Sequence, residues 1–279
     1  MGTSIVECQG GVEPRRRALQ AGGRRISALE WGGAGQPVLL LHGITSSARA
    51  WWRTAATLAQ RGYHVCALDM PGHGQSDETD DHRIEAQAAL VSEAAAPLGL
   101  ERPHLIGHSW GGAVALALAL AGGAGQLASL TLIDPALGMK PERGAEMLPG
   151  FLLGVGQPAE QLVPELRQRN PAWHECDCFW KAEALQQCRL EAVRGLFLHS
   201  GDWYLAPRLA EVPVRTLLLA ADPQHTVIPP AVQTEAAQAL AGRGELRVIP
   251  GTDHNMLRGG FDLTMPVLLE WLGRSEDKR

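Results

Sequence analysis

Short, largely apolar runs alternate along this chain with longer stretches in which apolar residues recur at helical spacing. The runs at 38–41, 64–68, 104–107, 127–133, 214–220 and 246–249 read as strands buried on both faces. Helical patterns fall between and after them at 48–60, 83–98, 109–122, 230–241 and 261–272. Residues 16–21 and 25–31 read as two opening strands joined by the Gly22-Gly23 turn as a hairpin. Strands separated by helices imply a mostly parallel, doubly wound α/β sheet. The alternation stops at Asp134-Pro135 and resumes at Val214. Residues 138–205 between them carry helical periodicity, notably at 159–169 and 179–197, and little strand character. The expected division is therefore a core of 1–137 and 206–279 with a helical insertion at 138–205 after the sixth strand, and a loose tail over 1–13.

Chemistry enters at Gly107-His108-Ser109-Trp110-Gly111, between an apolar strand and the alanine-leucine helix that follows. A serine on a sharp strand-to-helix turn is held in strained geometry with its hydroxyl exposed, and glycines on either side relieve collisions with neighbouring backbone. The helix that starts there aims free amides at any negative charge that develops.

Four segments in order carry a family resemblance: Leu39-Leu40-Leu41-His42-Gly43, Asp69-Met70-Pro71-Gly72-His73-Gly74-Gln75-Ser76, the serine turn, and Gly251-Thr252-Asp253-His254. On these the chain resembles the α/β-hydrolase superfamily, as a serine-nucleophile member with a cap. The resemblance implies Ser109 as nucleophile and His254 as its base, because histidine is the side chain whose ordinary pKa lies near working pH. His42 would orient the loop after its strand, His73 would serve a tight turn, and the His108 ring would point away from the serine hydroxyl. The chain order serine, acid, histidine points to Asp222 after the strand ending at Ala220, with Asp134 as the alternative used by a minority of relatives. Backbone amides of Ile44 and Trp110 would form the oxyanion hole. Tryptophans gather near these segments, so Trp51, Trp173, Trp180 and Met256 are candidate pocket residues, with Met139 and Met147 as further walls.

The expected activity is hydrolysis of a small apolar carboxylic ester or lactone through an acyl-enzyme. Relatives on the same scaffold leave other readings open: a proline-type aminopeptidase using Glu175 or Glu183, a carbon–carbon bond hydrolase, a cofactor-free haloperoxidase-like enzyme, or a small-molecule receptor. None needs a metal or organic cofactor.

Composition narrows the partners. A net charge of −5 argues against nucleic acid, and the Arg15-Arg16-Arg17 and Arg24-Arg25 clusters read as a solvated strand edge. No segment resembles a signal peptide or a membrane span, which implies a soluble, cytoplasmic protein. Five cysteines, an odd number, favour reduced thiols. The spacing of His174, Cys176, Cys178 and Cys188 matches no familiar zinc pattern. Oligomeric state is left open.

Overall fold

The computed structural model describes residues 8, 11–122 and 126–274. Eight strands form one sheet: β1 (Arg15–Ala21), β2 (Arg24–Trp31), β3 (Pro37–Leu41), β4 (His64–Leu68), β5 (His104–His108), β6 (Ser129–Ile133), β9 (Thr216–Ala220) and β10 (Gly244–Val248). Their spatial order is β1-β2-β4-β3-β5-β6-β9-β10. The opening hairpin pairs antiparallel, and β2 joins β4 antiparallel, while every pairing from β4 to β10 is parallel. Strands β3 to β6 and β9 are rich in Val, Leu, Ile and Ala and almost wholly buried, because helices cover both sheet faces. At the edge, β1 begins with Arg15, Arg16 and Arg17 and then alternates exposed Ala18 and Gln20 with buried Leu19 and Ala21. Arg15 and Arg17 both reach Glu30, and Arg16 reaches Asp69, so the basic cluster caps a strand edge.

Helices α1 (Trp52–Gln60) and α9 (Phe261–Gly273) share one buried core with the strands. On the other face lie α2 (Ile84–Ala95) and α3 (Trp110–Gly122). Helix α3 has alanine or glycine at close-contact positions and leucine or valine between them, which lets it bury nearly its whole surface at the sheet centre.

Between β6 and β9 the chain leaves the sheet through the short ribbon of β7 (Gly138–Met139) and β8 (Trp203–Tyr204). The ribbon brackets α4 (Pro141–Phe151), α5 (Ala159–Arg169), α6 (Glu175–Gln187) and α7 (Leu190–Leu198). Two expectations change here. The helix expected at 179–197 is two helices, because Cys188 is extended and the Arg189 amide donates to the Gly72 carbonyl, a tertiary bond outside any helix. Helix α4 has no counterpart in the periodicity analysis; Gly144 and Pro149 weaken its signal, and packing on α7 sustains it. After β9, α8 (Pro230–Leu240) leads to β10.

The expectation of reduced thiols is also corrected. Cys8 and Cys176 form a disulfide across a sequence separation of 168. Most of the expected tail, 1–13, lies outside the described residues, but Cys8 itself packs with Trp52, Cys176 and Trp180 against α6. Cys66, Cys178 and Cys188 are free and buried. Among the described residues no helix is long and apolar enough to cross a membrane.

Candidate active site

The site is assembled at the carboxyl edge of the sheet, where parallel strands end side by side and open α/β sheets bind ligands. Ser109 follows β5 with φ of 55°, in the left-handed region. This conformation is stabilised by its surroundings: its amide donates to the Ile133 carbonyl, and its carbonyl accepts from Ala136 and Gly112. The flanking glycines are needed for space. A Cβ on Gly111 would sit 2.4 Å from the His42 carbonyl oxygen, and one on Gly107 would sit 2.3 Å from the Gly111 oxygen.

His254 lies on the loop after β10. Its Nε2 is 3.1 Å from Ser109 Oγ, and its Nδ1 is 2.7 Å from Asp134 Oδ2. Asp134 stands at the end of β6 with φ of 40° and is fully buried. It also accepts from the Ala221 and Val227 amides and the Thr226 hydroxyl. Burial alone would raise its carboxyl, but the His254 hydrogen bond and charge, then Thr226 and Ala221, outweigh that and hold it below the usual aspartate range.

The expected partner of His254 is thus corrected from Asp222 to Asp134. Asp222 accepts from the amides of Gln224 and Gly251 and pins the turn after β9. Strands β6 and β9 are paired with Ile133 opposite Leu219, so both aspartates emerge at the same edge. The backbone of Asp134, whose amide donates to Leu219, turns its side chain toward the histidine.

Two further histidines brace the site. His42 Nε2 accepts from the Met70 amide while Nδ1 donates to the Gly43 carbonyl, tying the loop after β3 to the turn after β4. That arrangement requires a neutral ring, and burial pushes its pKa down to about 4. His108 donates from Nε2 to the His254 carbonyl and is pushed down to about 3, first by burial and then by the neighbouring His254. Asp69 accepts from the amides of Ala48 and Gln75, so the Asp-Met-Pro-Gly-His-Gly stretch fastens a turn.

Two cavities meet at Ser109, and Ile44, Phe151 and His254 line both. The larger, about 820 Å³, is mostly apolar, walled by Trp110, Leu137, Met139, Met147, Phe197 and Trp203 among others. The smaller, about 270 Å³, is walled by Trp51, Trp173, Lys181, Asn255 and Arg258 together with the loop after β3. Two expected pocket residues line neither. Trp180 is buried against the disulfide and donates to the Cys8 carbonyl. Met256 is fully buried in the core beneath α9, its carbonyl accepting from Thr264. Lys181 and Arg258 were not identified from the sequence; they lie far apart in it, and only the cap folding over the histidine loop brings them to one cavity.

A nucleophile elbow after the fifth strand, a histidine after the last and a cap inserted after the sixth define a serine-type α/β hydrolase scaffold. Residues 38–259 match the family model described as "Alpha/beta hydrolase family", and the chain belongs to that family. It is 27% identical over 270 residues to a non-heme haloperoxidase of Rhodococcus erythropolis, covering 90% of this chain and 96% of the relative. It is 30% identical over 230 residues to N-formylmaleamate deformylase of Pseudomonas putida, covering 81% and 78%. Among solved structures, E-2-(acetamidomethylene)succinate hydrolase superposes with a TM-score of 0.81 at 19% identity, covering 94% of this chain and 100% of that one.

Proposed function

We propose that this hydrolase cleaves a carboxylic ester or lactone through an acyl-enzyme on Ser109. The observation that carries the reading is the continuous hydrogen-bonded series Ser109–His254–Asp134 opening onto a largely apolar cavity. With Nδ1–H donated to Asp134, the lone pair of His254 Nε2 faces the serine hydroxyl. Ser109 Oγ attacks the carbonyl carbon as its proton passes to Nε2, and the carbonyl electron pair moves onto oxygen. The amides of Ile44 and Trp110 receive that oxyanion; Trp110 opens α3, so its N–H has no intrahelical partner. Collapse breaks the carbon–oxygen bond, and the leaving oxygen takes the proton from His254. Water repeats the sequence on the acyl-serine, releasing the acid and restoring Ser109.

Neither carboxylate of the aminopeptidase alternative lines the cavities at Ser109. Glu175 pairs with Arg167, Glu183 lines neither cavity, and the smaller cavity holds two cations and no carboxylate among its lining residues. A substrate ammonium would be repelled there.

The test is hydrolysis of p-nitrophenyl butyrate by the native protein and by Ser109→Ala. Native turnover should be lost by a factor of about 10³ or more in the variant, at unchanged melting temperature. Retention of more than about a tenth of the native rate would refute the assignment.

A further inference from the structure

We infer that the smaller cavity is an anion subsite, in which Lys181 and Arg258 receive a carboxylate carried by the substrate a few bonds from the scissile carbonyl. The inference rests on the acyl-enzyme reading above and names the substrate class within it. The two cations come from separate elements, Lys181 from α6 of the insertion and Arg258 from the loop that carries His254, and both line the cavity that Ser109 opens into. The Lys181 ammonium donates to the carbonyl and the hydroxyl of Thr45, at 2.7 and 2.8 Å, which uses two of its three N–H groups. The Arg258 guanidinium donates to Asn255 Oδ1 at 2.9 Å and Ser46 Oγ at 3.4 Å and lies 4.5 Å from the Trp173 ring centroid. All four acceptors are neutral. Among the described residues, no carboxylate stands within ion-pairing distance of either cation.

Enclosing two like charges with no carboxylate in contact is unfavourable, and their surroundings register it. Burial, and then the Arg258 charge, push the Lys181 ammonium down to about 7, and burial also lowers Arg258. Asp177 and Asp253 act on Arg258 only from beyond contact, and Asp253 accepts from the Asn255 amide. Asp177 accepts from the Trp52 indole, and its carboxyl is raised by burial. His42 and His108, also in the wall, are held neutral and add no charge. A carboxylate entering the cavity would neutralise the surplus and could take a lysine N–H and the planar guanidinium together. The apolar remainder of such a substrate would occupy the larger cavity, with the scissile carbonyl at the junction.

The experiment compares matched esters in a pH-stat assay at pH 7. Methyl hydrogen succinate, with its carboxylate on the acyl side, is paired with methyl pentanoate; 3-acetoxypropionate, with its carboxylate on the alcohol side, is paired with butyl acetate. In at least one pair, kcat/KM for the anionic ester should exceed that for the neutral one by about tenfold or more. Lys181→Met and Arg258→Met should each bring that ratio to about one or below. Lys181 also holds Thr45 beside the oxyanion loop, so a variant can lose general activity; the ratio is taken within each protein, and such a loss cancels. Neutral esters cleaved as well as the anionic ones by the native protein, or a preference that survives both substitutions, would overturn the subsite. If the native protein cleaves no ester, the acyl-enzyme reading fails separately, and thermal stabilisation by succinate decides the subsite. Stabilisation of the native protein but not of Lys181→Met upholds it, and equal or absent stabilisation refutes it.

Discussion

Replacing Asp134 by asparagine tests the geometry most sharply, because the side chain keeps its shape while one acceptor becomes a donor. Four donors converge on this carboxylate: the Ala221 amide and the Thr226 hydroxyl on Oδ1, the Val227 amide and His254 Nδ1 on Oδ2. An asparagine NH₂ at the Oδ2 position would face the Val227 N–H and drive His254 to the tautomer with its proton on Nε2, where it cannot accept from Ser109. At the Oδ1 position the hydroxyl of Thr226 could rotate to accept, but the Ala221 N–H would be opposed. Either orientation also removes the negative charge that stabilises the imidazolium. A loss of roughly 10³ to 10⁴ in kcat is expected, equivalent to about 4 to 5.5 kcal/mol of transition-state stabilisation. The opposed amide should also cost about 1 to 3 kcal/mol of folding stability, lowering the melting temperature by several degrees. Asp222→Asn, at a partly exposed turn bonded only to amides, should change kcat by less than about threefold. The assay is steady-state hydrolysis of p-nitrophenyl butyrate with melting curves on the same samples. An Asp222→Asn loss equal to or larger than that of Asp134→Asn would refute the reasoning.

Acid should destabilise the fold through its buried neutral histidines. His42, His73 and His108 are pushed by burial from 6.5 to about 4, about 3 and about 3, so the unfolded chain takes up protons that the folded one refuses. Their contribution is complete above pH 6.5 and is lost as pH falls toward 4, by up to about 1.4 kcal/mol per pH unit for each ring. Melting temperature should therefore hold nearly level from pH 7.5 to about 6.5 and fall from there to pH 5, and a flat profile over the whole range would contradict the buried neutral rings. Thiol titration in denaturant should find three groups, Cys66, Cys178 and Cys188, without reductant and all five cysteines after reduction. Five thiols before reduction would show that Cys8 and Cys176 are not joined.

Local pattern determined much of this protein. Apolar runs of strand length between helical stretches specify a parallel sheet covered on both faces, because only that arrangement buries such strands. The serine turn was legible because its requirements are local: a strand, a residue at positive φ, and glycines where neighbouring backbone leaves no room. His254 was legible because its place follows from chain order after β10. The acid was not. Asp134 and Asp222 both end neighbouring strands at one edge, and the choice between them depends on a backbone turn at Asp134 and on which carboxylate the Ala221, Thr226 and Val227 donors surround. The break at Cys188 between α6 and α7, the disulfide across 168 positions, and the meeting of Lys181 with Arg258 likewise arise only when the insertion folds back over the sheet. Sequence periodicity records which face of an element is buried, but it carries no information on what distant segment covers that face. The covering, here by the cap and the N-terminal cysteine, was decided by tertiary packing.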